Sequence, residues 1–223
     1  EVSLSTKLDA DRCVLYAYSC TFDSIDSDKA NGGAIHLSTG SVQQPAPKGS
    51  CTISNCTFCH CRGGSGGAIY LESQDGDRFT GITNCTFENN TATKDTGDVG
   101  GGALFIYAAY VTVSNCTFID NQANAKGQVI YYLTFEFESD TENPFLITNC
   151  TFYQYHVSSN SSLIFLEWTD NSDLYFNYNT IRLADDLIAY LLEDKGAKEI
   201  RGNLSCHANA LLPSHELLCR DKD

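Results

Sequence analysis

A four-residue element returns at nearly even spacing along this chain of 223 residues. It reads Ser19-Cys20-Thr21-Phe22, Asn55-Cys56-Thr57-Phe58, Asn84-Cys85-Thr86-Phe87, Asn115-Cys116-Thr117-Phe118 and Asn149-Cys150-Thr151-Phe152, with its cysteines 36, 29, 31 and 34 residues apart. A second element alternates with it: Gly32-Gly33-Ala34-Ile35-His36-Leu37, Gly66-Gly67-Ala68-Ile69-Tyr70-Leu71 and Gly101-Gly102-Ala103-Leu104-Phe105-Ile106. It decays to Gly127-Gln128-Val129-Ile130-Tyr131-Tyr132-Leu133 and then to Ser162-Leu163-Ile164-Phe165-Leu166. Self-similarity at such a period marks a solenoid, in which each repeat buries its apolar face on its neighbours. Both elements are short, rich in β-branched and aromatic residues and bounded by Gly, Asn, Ser and Asp, so both are strands. Nothing has a 3.6-residue period before residue 184, which excludes helical repeats and leucine-rich horseshoes. The expected fold is all-β, a right-handed parallel β-helix of about five or six coils.

Val111 and Val113 alternate with Thr112 and Ser114, so one face of this strand is apolar. Asn115 interrupts the alternation, and Cys116 and Phe118 then share a face. Asparagine tolerates left-handed backbone angles, which places a bend at this residue. Coils stack about 4.8 Å apart, so equivalent side chains form ladders. Asn55, Asn84, Asn115 and Asn149 are expected to form an internal amide ladder bonded along the axis. Cys56, Cys85, Cys116 and Cys150 form a column of small buried groups beside Phe58, Phe87, Phe118 and Phe152. Disulfides between rungs are the alternative for these cysteines, but they need converging Cβ vectors, whereas in-register neighbours point the same way.

The Gly-Gly-Ala-Ile elements, with Phe87-Glu88-Asn89-Asn90 and Phe118-Ile119-Asp120-Asn121, resemble the repeats of the chlamydial polymorphic outer-membrane proteins. Phe58-Cys59-His60-Cys61 departs from that pattern at its last position. The resemblance covers roughly residues 14–181 and implies a parallel β-helix and adhesion at a cell surface.

Residues 1–181 are read as the repeats and 182–223 as a C-terminal cap. Ala184–Asp194 has acids in its first turn, several apolar residues after them and Gly196 as a stop, which predicts a short capping helix. Cys206 and Cys219 bracket a second leucine-bearing segment and are the expected disulfide. Glu1–Arg12 is less suited to closing the other end, which leaves room there for a partner or another copy. Loops of uneven length leave the coils, including residues 38–50 and the acidic run Glu136–Glu142, which lacks the Asp/Gly spacing of a calcium loop. Seven Asn-x-Ser/Thr sequons begin at Asn55, Asn84, Asn89, Asn115, Asn149, Asn160 and Asn203. With the ladder asparagines placed inside, Asn89, Asn160 and Asn203 are the expected glycan acceptors, and a row of glycans down one edge is the alternative.

Charge and cysteine content bound the function. A net charge of −14 with only 14 Lys and Arg argues against nucleic acid. No apolar run reaches the ~18 residues of a membrane span. Eleven cysteines fit an oxidising compartment, and a chain that begins with Glu1 and holds no Met fits removal of a signal peptide. Cys59-x-Cys61 has no second ligand pair at zinc-like spacing, so neither metal nor cofactor is expected. Glycan cleavage needs two suitably spaced carboxylates, or a base with calcium ligands. Asp185-Asp186 starts the expected helix, while His36 and His60 show no evident Ser or Asp partner in sequence, so no catalytic residue is assigned. The expectation is a non-catalytic extracellular structural protein, a subunit of a surface layer, coat or fibre, that self-associates or meets other extracellular proteins or glycans. An adhesin or carbohydrate-binding module is the first alternative, and a polysaccharide lyase or glycoside hydrolase the second.

Overall fold

Three bends shape the turns that are described whole, and there each falls on a residue with left-handed backbone. Ser19, Asn55, Asn84, Asn115, Asn149 and Tyr178 occupy the first bend with φ of 53° to 58°. Ser24, His60, Asn89 and Asp120 occupy the second at 46° to 54°, and Gly32, Gly66, Gly101 and Gly127 the third at 60° to 69°. One turn thus runs through strand Val111–Ser114, the bend at Asn115, strand Thr117–Ile119, the bend at Asp120, strand Gln122–Ala123, the bend at Gly127 and strand Ile130–Leu133. The computed structural model describes residues 2–4, 8–11, 15–38, 51–72, 80–97, 99–107, 111–133, 145–156, 162–167, 174–183, 190–195, 204–205, 210–212 and 219–221.

Equivalent strands of successive turns pair in parallel and build sheets of eight, seven, three and eight strands. Three consecutive turns, residues 51–72, 80–107 and 111–133, are described strand for strand. The two longest sheets hold more strands than either motif has copies. Their outermost members, such as Val2–Leu4 and Ala210–Leu212, pair through the backbone without the motif. The described residues form a parallel β-solenoid and contain no helix.

The interior is a set of columns. Phe22, Phe58, Phe87, Phe118 and Phe152 stack in register, with centroids 4.7 to 5.0 Å apart and planes within 9° of parallel. That separation is the strand spacing itself, so each ring lies on the next without distorting the ladder. Ile53, Ile82, Val113 and Ile147 form a second fully buried column, and Ile35, Ile69, Leu104, Ile130 and Ile164 a third. Each such side chain contributes roughly 1.5–3 kcal/mol of burial, and every rung repeats the set.

The paired glycines have different tasks. The first, as at Gly101, supplies the left-handed bend. The second lets the next rung approach: a Cβ on Gly67 would lie 2.0 Å from the carbonyl oxygen of Gly102. Gln128 replaces the second glycine where the three-stranded sheet ends. Its Nε2 donates to the carbonyl of Ala123 at 2.9 Å and its Oε1 accepts from the Ala123 N–H at 3.3 Å. A side-chain amide thus fills the place of the missing next strand, which explains the decay of the motif at that rung.

Two expectations are corrected. Asn55, Asn84, Asn115 and Asn149 do not form an internal ladder; they are exposed at the first bend. A left-handed residue breaks the in–out alternation, turning its own side chain out and the following cysteine in. The Phe-x-x-Asn repeats supply buried amides instead, at Asn90 and Asn121, each just after the second bend. Asn90 Nδ2 donates to Asn121 Oδ1 at 2.9 Å and to the Phe58 carbonyl at 3.0 Å, and Asn121 Nδ2 donates to the Phe87 carbonyl at 2.9 Å. The second correction is at Ala184–Asp194, where a helix is expected. Tyr190–Lys195 is a strand between Ser162–Glu167 and Cys219–Asp221. A helix of that length is marginal alone, and the open edge of the preceding strand offers a full row of backbone partners. Leu204–Ser205, Ala210–Leu212 and Cys219–Asp221 likewise continue the three large sheets, so the described strands past residue 182 belong to the same solenoid.

Candidate functional surface

What the interior dictates repeats from rung to rung, so the outer faces show what the fold leaves free. Along the phenylalanine sheet, Thr21, Thr57, Thr86, Thr117, Thr151 and Thr180 stand in one outward column, in register and half-buried. Two residues on, the parallel column holds Asp23, Cys59, Glu88, Ile119, Tyr153 and Arg182, a different residue at every rung. Beside the threonines runs the bend row of exposed asparagines. At the N-terminal end of the neighbouring sheet, Tyr16 and Tyr18 share one outward face and are 71% and 69% exposed.

A further outward column is closed. His36, Tyr70, Phe105, Tyr131 and Phe165 are in register outside the isoleucine column. Phe105, Tyr131 and Phe165 are nonetheless fully buried and pack edge to face at 4.8 and 5.1 Å. Lys126 lies 4.9 Å from the Phe165 ring centre and 3.4 Å from Glu167, which accepts a 2.5 Å hydrogen bond from the Tyr131 hydroxyl. These aromatics are a second small core and offer no open platform.

Cys56, Cys85, Cys116 and Cys150 are free thiols, each about 1% exposed. Each donates to the carbonyl two residues back, of Ser54, Thr83, Ser114 and Thr148, at 3.2 to 3.4 Å. Asn179 takes the cysteine's place on the next rung, accepting from the Cys150 N–H at 2.9 Å and donating to the Ile147 carbonyl at 3.1 Å.

The hydrogen bond with Cys116, with burial behind it, pushes the Cys85 thiol up to about 12. Burial pushes Cys61 up to about 11. The unfolded value is about 9, so between about pH 9 and 12 the folded chain holds protons that the unfolded chain has lost. Stability from these thiols is therefore complete below about pH 9 and falls as the pH rises through the window. Urea midpoints are expected to be lower at pH about 10.5 than at about 8, and the drop to be smaller in Cys85→Ala. An unchanged midpoint in the parent chain would show that the thiols ionise alike in both states.

The other expected site residues are dispersed. Asn89 is exposed at the second bend, while Asn160, Asn203 and Cys206 lie outside the described residues, as does the side chain of Cys219. Asp185 and Asp186 and the acidic loop also lie outside them. His36 meets the Tyr70 ring edge-on at 5.2 Å. His60 does have an acidic partner: its Nδ1 is 3.3 Å from Asp23 Oδ1 on the preceding rung. Sequence spacing hides that pair, because only the strand register joins positions 37 residues apart.

A family model described as a right-handed β-helix region matches residues 13–204. The chain belongs to the right-handed β-helix family. No curated protein and no solved structure matches it. Within this β-helix, the phenylalanine sheet's outer face sets a uniform threonine column beside a column that changes chemistry at every rung.

Proposed function

We propose that this β-helix is a non-catalytic, secreted structural protein, a subunit of a surface layer, coat or fibre. The observation that carries it is the outward threonine column, six identical residues in register beside a column in which no residue recurs. A strand can hold many residues at an outward position, as the neighbouring column demonstrates. A uniform row at the strand repeat of about 4.8 Å suits contact with another repeating surface, such as a second copy of this chain. The motif-bearing rungs, about five or six coils, supply the stiff rod such a layer needs. In this reading Asn89, Asn160 and Asn203 stay the proposed glycan acceptors, and the exposed asparagines of the first bend join them.

Light scattering across a concentration series tests it. Mass well above one 24.4 kDa chain is expected, and Thr117→Lys, which places a charge mid-column, is expected to reduce it with an unchanged circular dichroism spectrum. A single-chain mass at every concentration would sink the proposal.

A carbohydrate-binding or adhesive surface is the second reading, favoured by Tyr16 and Tyr18. Two exposed rings on one face, about 7 Å apart along the strand, suit stacking on sugar rings. The adhesion implied by the chlamydial resemblance points the same way. Loss of glycan-array binding in Tyr16→Ala and Tyr18→Ala, with assembly retained, would favour it. A glycan-cleaving enzyme would draw on Asp23 and Glu88, two rungs apart in one column and so about 9–10 Å between backbones. Reducing-end release from a polysaccharide panel would reveal it.

A further inference from the structure

Asp23, Cys59 and His60 bring a carboxylate, a thiol and an imidazole together at the second bend. Their ligand atoms all lie within 4.8 Å of one another. Cys59 Sγ is 3.3 Å from Asp23 Oδ1, and His60 Nδ1 is 3.3 Å from the same oxygen. Zinc binds sulfur at ~2.3 Å and nitrogen or oxygen at ~2.0–2.2 Å, so ligands at tetrahedral corners stand about 3.3–3.7 Å apart. Two of the three separations already have that spacing.

The rungs make the placement specific. Asp23 is fixed opposite Cys59 by strand register, and the left-handed backbone of His60 turns its ring out beside them. Cys61 points the other way: it is buried, and its thiol donates to the carbonyls of Phe22 and Cys59. The Cys-x-Cys pair is therefore split, with Cys59 alone reaching the outer face, and the remaining ligands come from the bend and from the preceding rung. Glu88 follows Cys59 in register on the other side, and the fourth position is one that a water molecule fills in open zinc sites. The fold does not require these residues. The same places hold Glu88 and Asn89 on the next rung and Ile119 and Asp120 on the one after.

We propose that Asp23, Cys59 and His60 bind a divalent zinc-like ion on the outer edge of the solenoid. The ion takes Cys59 as thiolate, so binding releases its proton to solvent. A metal at this bend ties two successive rungs together where they face outward. The proposal stands apart from the assembly reading, since it concerns one chain.

The test is calorimetric titration of the full, reduced, chelator-treated chain with Zn²⁺, and of the same chain with Co²⁺ followed by absorption. One strong equivalent of zinc and a thiolate-to-cobalt charge-transfer band are expected. Cys59→Ser is expected to lose the band and to weaken zinc binding at least about 10-fold. His60→Asn and Asp23→Asn are expected to weaken zinc binding to a comparable degree while keeping the circular dichroism spectrum. Asparagine occupies the same bend at Asn89, so the histidine variant keeps its backbone. No zinc uptake by the parent chain, or equal uptake by all three variants, would overturn the assignment.

Discussion

Gly101→Ala is expected to be among the most damaging single-methyl changes at the described residues, lowering stability by at least about 3 kcal/mol or preventing folding. Gly101 has φ +69°, a conformation that costs other residues roughly 1–2 kcal/mol. The larger part is steric. An added Cβ would stand 2.0 Å from the carbonyl oxygen and 2.6 Å from the carbonyl carbon of Leu104, backbone atoms at the start of the strand that follows the bend. Relief would pull Leu104 out of its pairing with Ile69 and Ile130, so the damage spreads to two neighbouring rungs. Gly97 is the internal control. Its φ is +93°, yet nothing lies within 4 Å of a Cβ placed there, so Gly97→Ala carries the conformational cost alone. Urea unfolding followed by far-ultraviolet circular dichroism separates the two. Equal losses for both variants would mean that the close approach of the Leu104 carbonyl does not control the glycine bend.

Phe87→Ala is expected to cost about 3–5 kcal/mol, the range for removing a fully buried aromatic side chain. Phe87 is 0% exposed and is stacked on both faces, 4.9 Å from Phe58 and 5.0 Å from Phe118. Its neighbours are held by their own strands at the same spacing, so they cannot close on the void. Leucine at this position keeps much of the volume and is expected to cost less than half as much. One residue earlier, Thr86 faces outward, and Thr86→Ala is expected to shift stability by no more than about 1 kcal/mol. Comparable losses for Thr86→Ala and Phe87→Ala would mean that the in–out assignment of this sheet is wrong.

That assignment was legible in the sequence wherever the repeat preserved side-chain chemistry. Phenylalanine, cysteine and the alanine after the glycine pair recur over the middle rungs, and that repetition revealed the columns without coordinates, while Val129 and Leu163 take the alanine's place further on. The first bend was located correctly at Asn55, Asn84, Asn115 and Asn149, but the direction of those side chains was not. Two-residue alternation holds only for extended backbone, and a left-handed residue inverts it. A bonded pair of internal amides stands instead at Asn90 and Asn121, the last positions of Phe-x-x-Asn, where the carbonyls of Phe58 and Phe87 accept from them. Tyr190–Lys195 is not legible as a strand for a different reason. Local pattern favoured a helix there, and the competing partner was a strand edge more than twenty residues upstream. The Asp23–Cys59–His60 cluster was hidden from sequence for the same cause, because the acid and the thiol meet only across a rung.

Electron microscopy of the purified native chain tests the structural role most directly. Regular filaments or sheets, lost in Thr117→Lys, are the predicted result. Dispersed particles the size of a single chain, with and without that substitution, would contradict it.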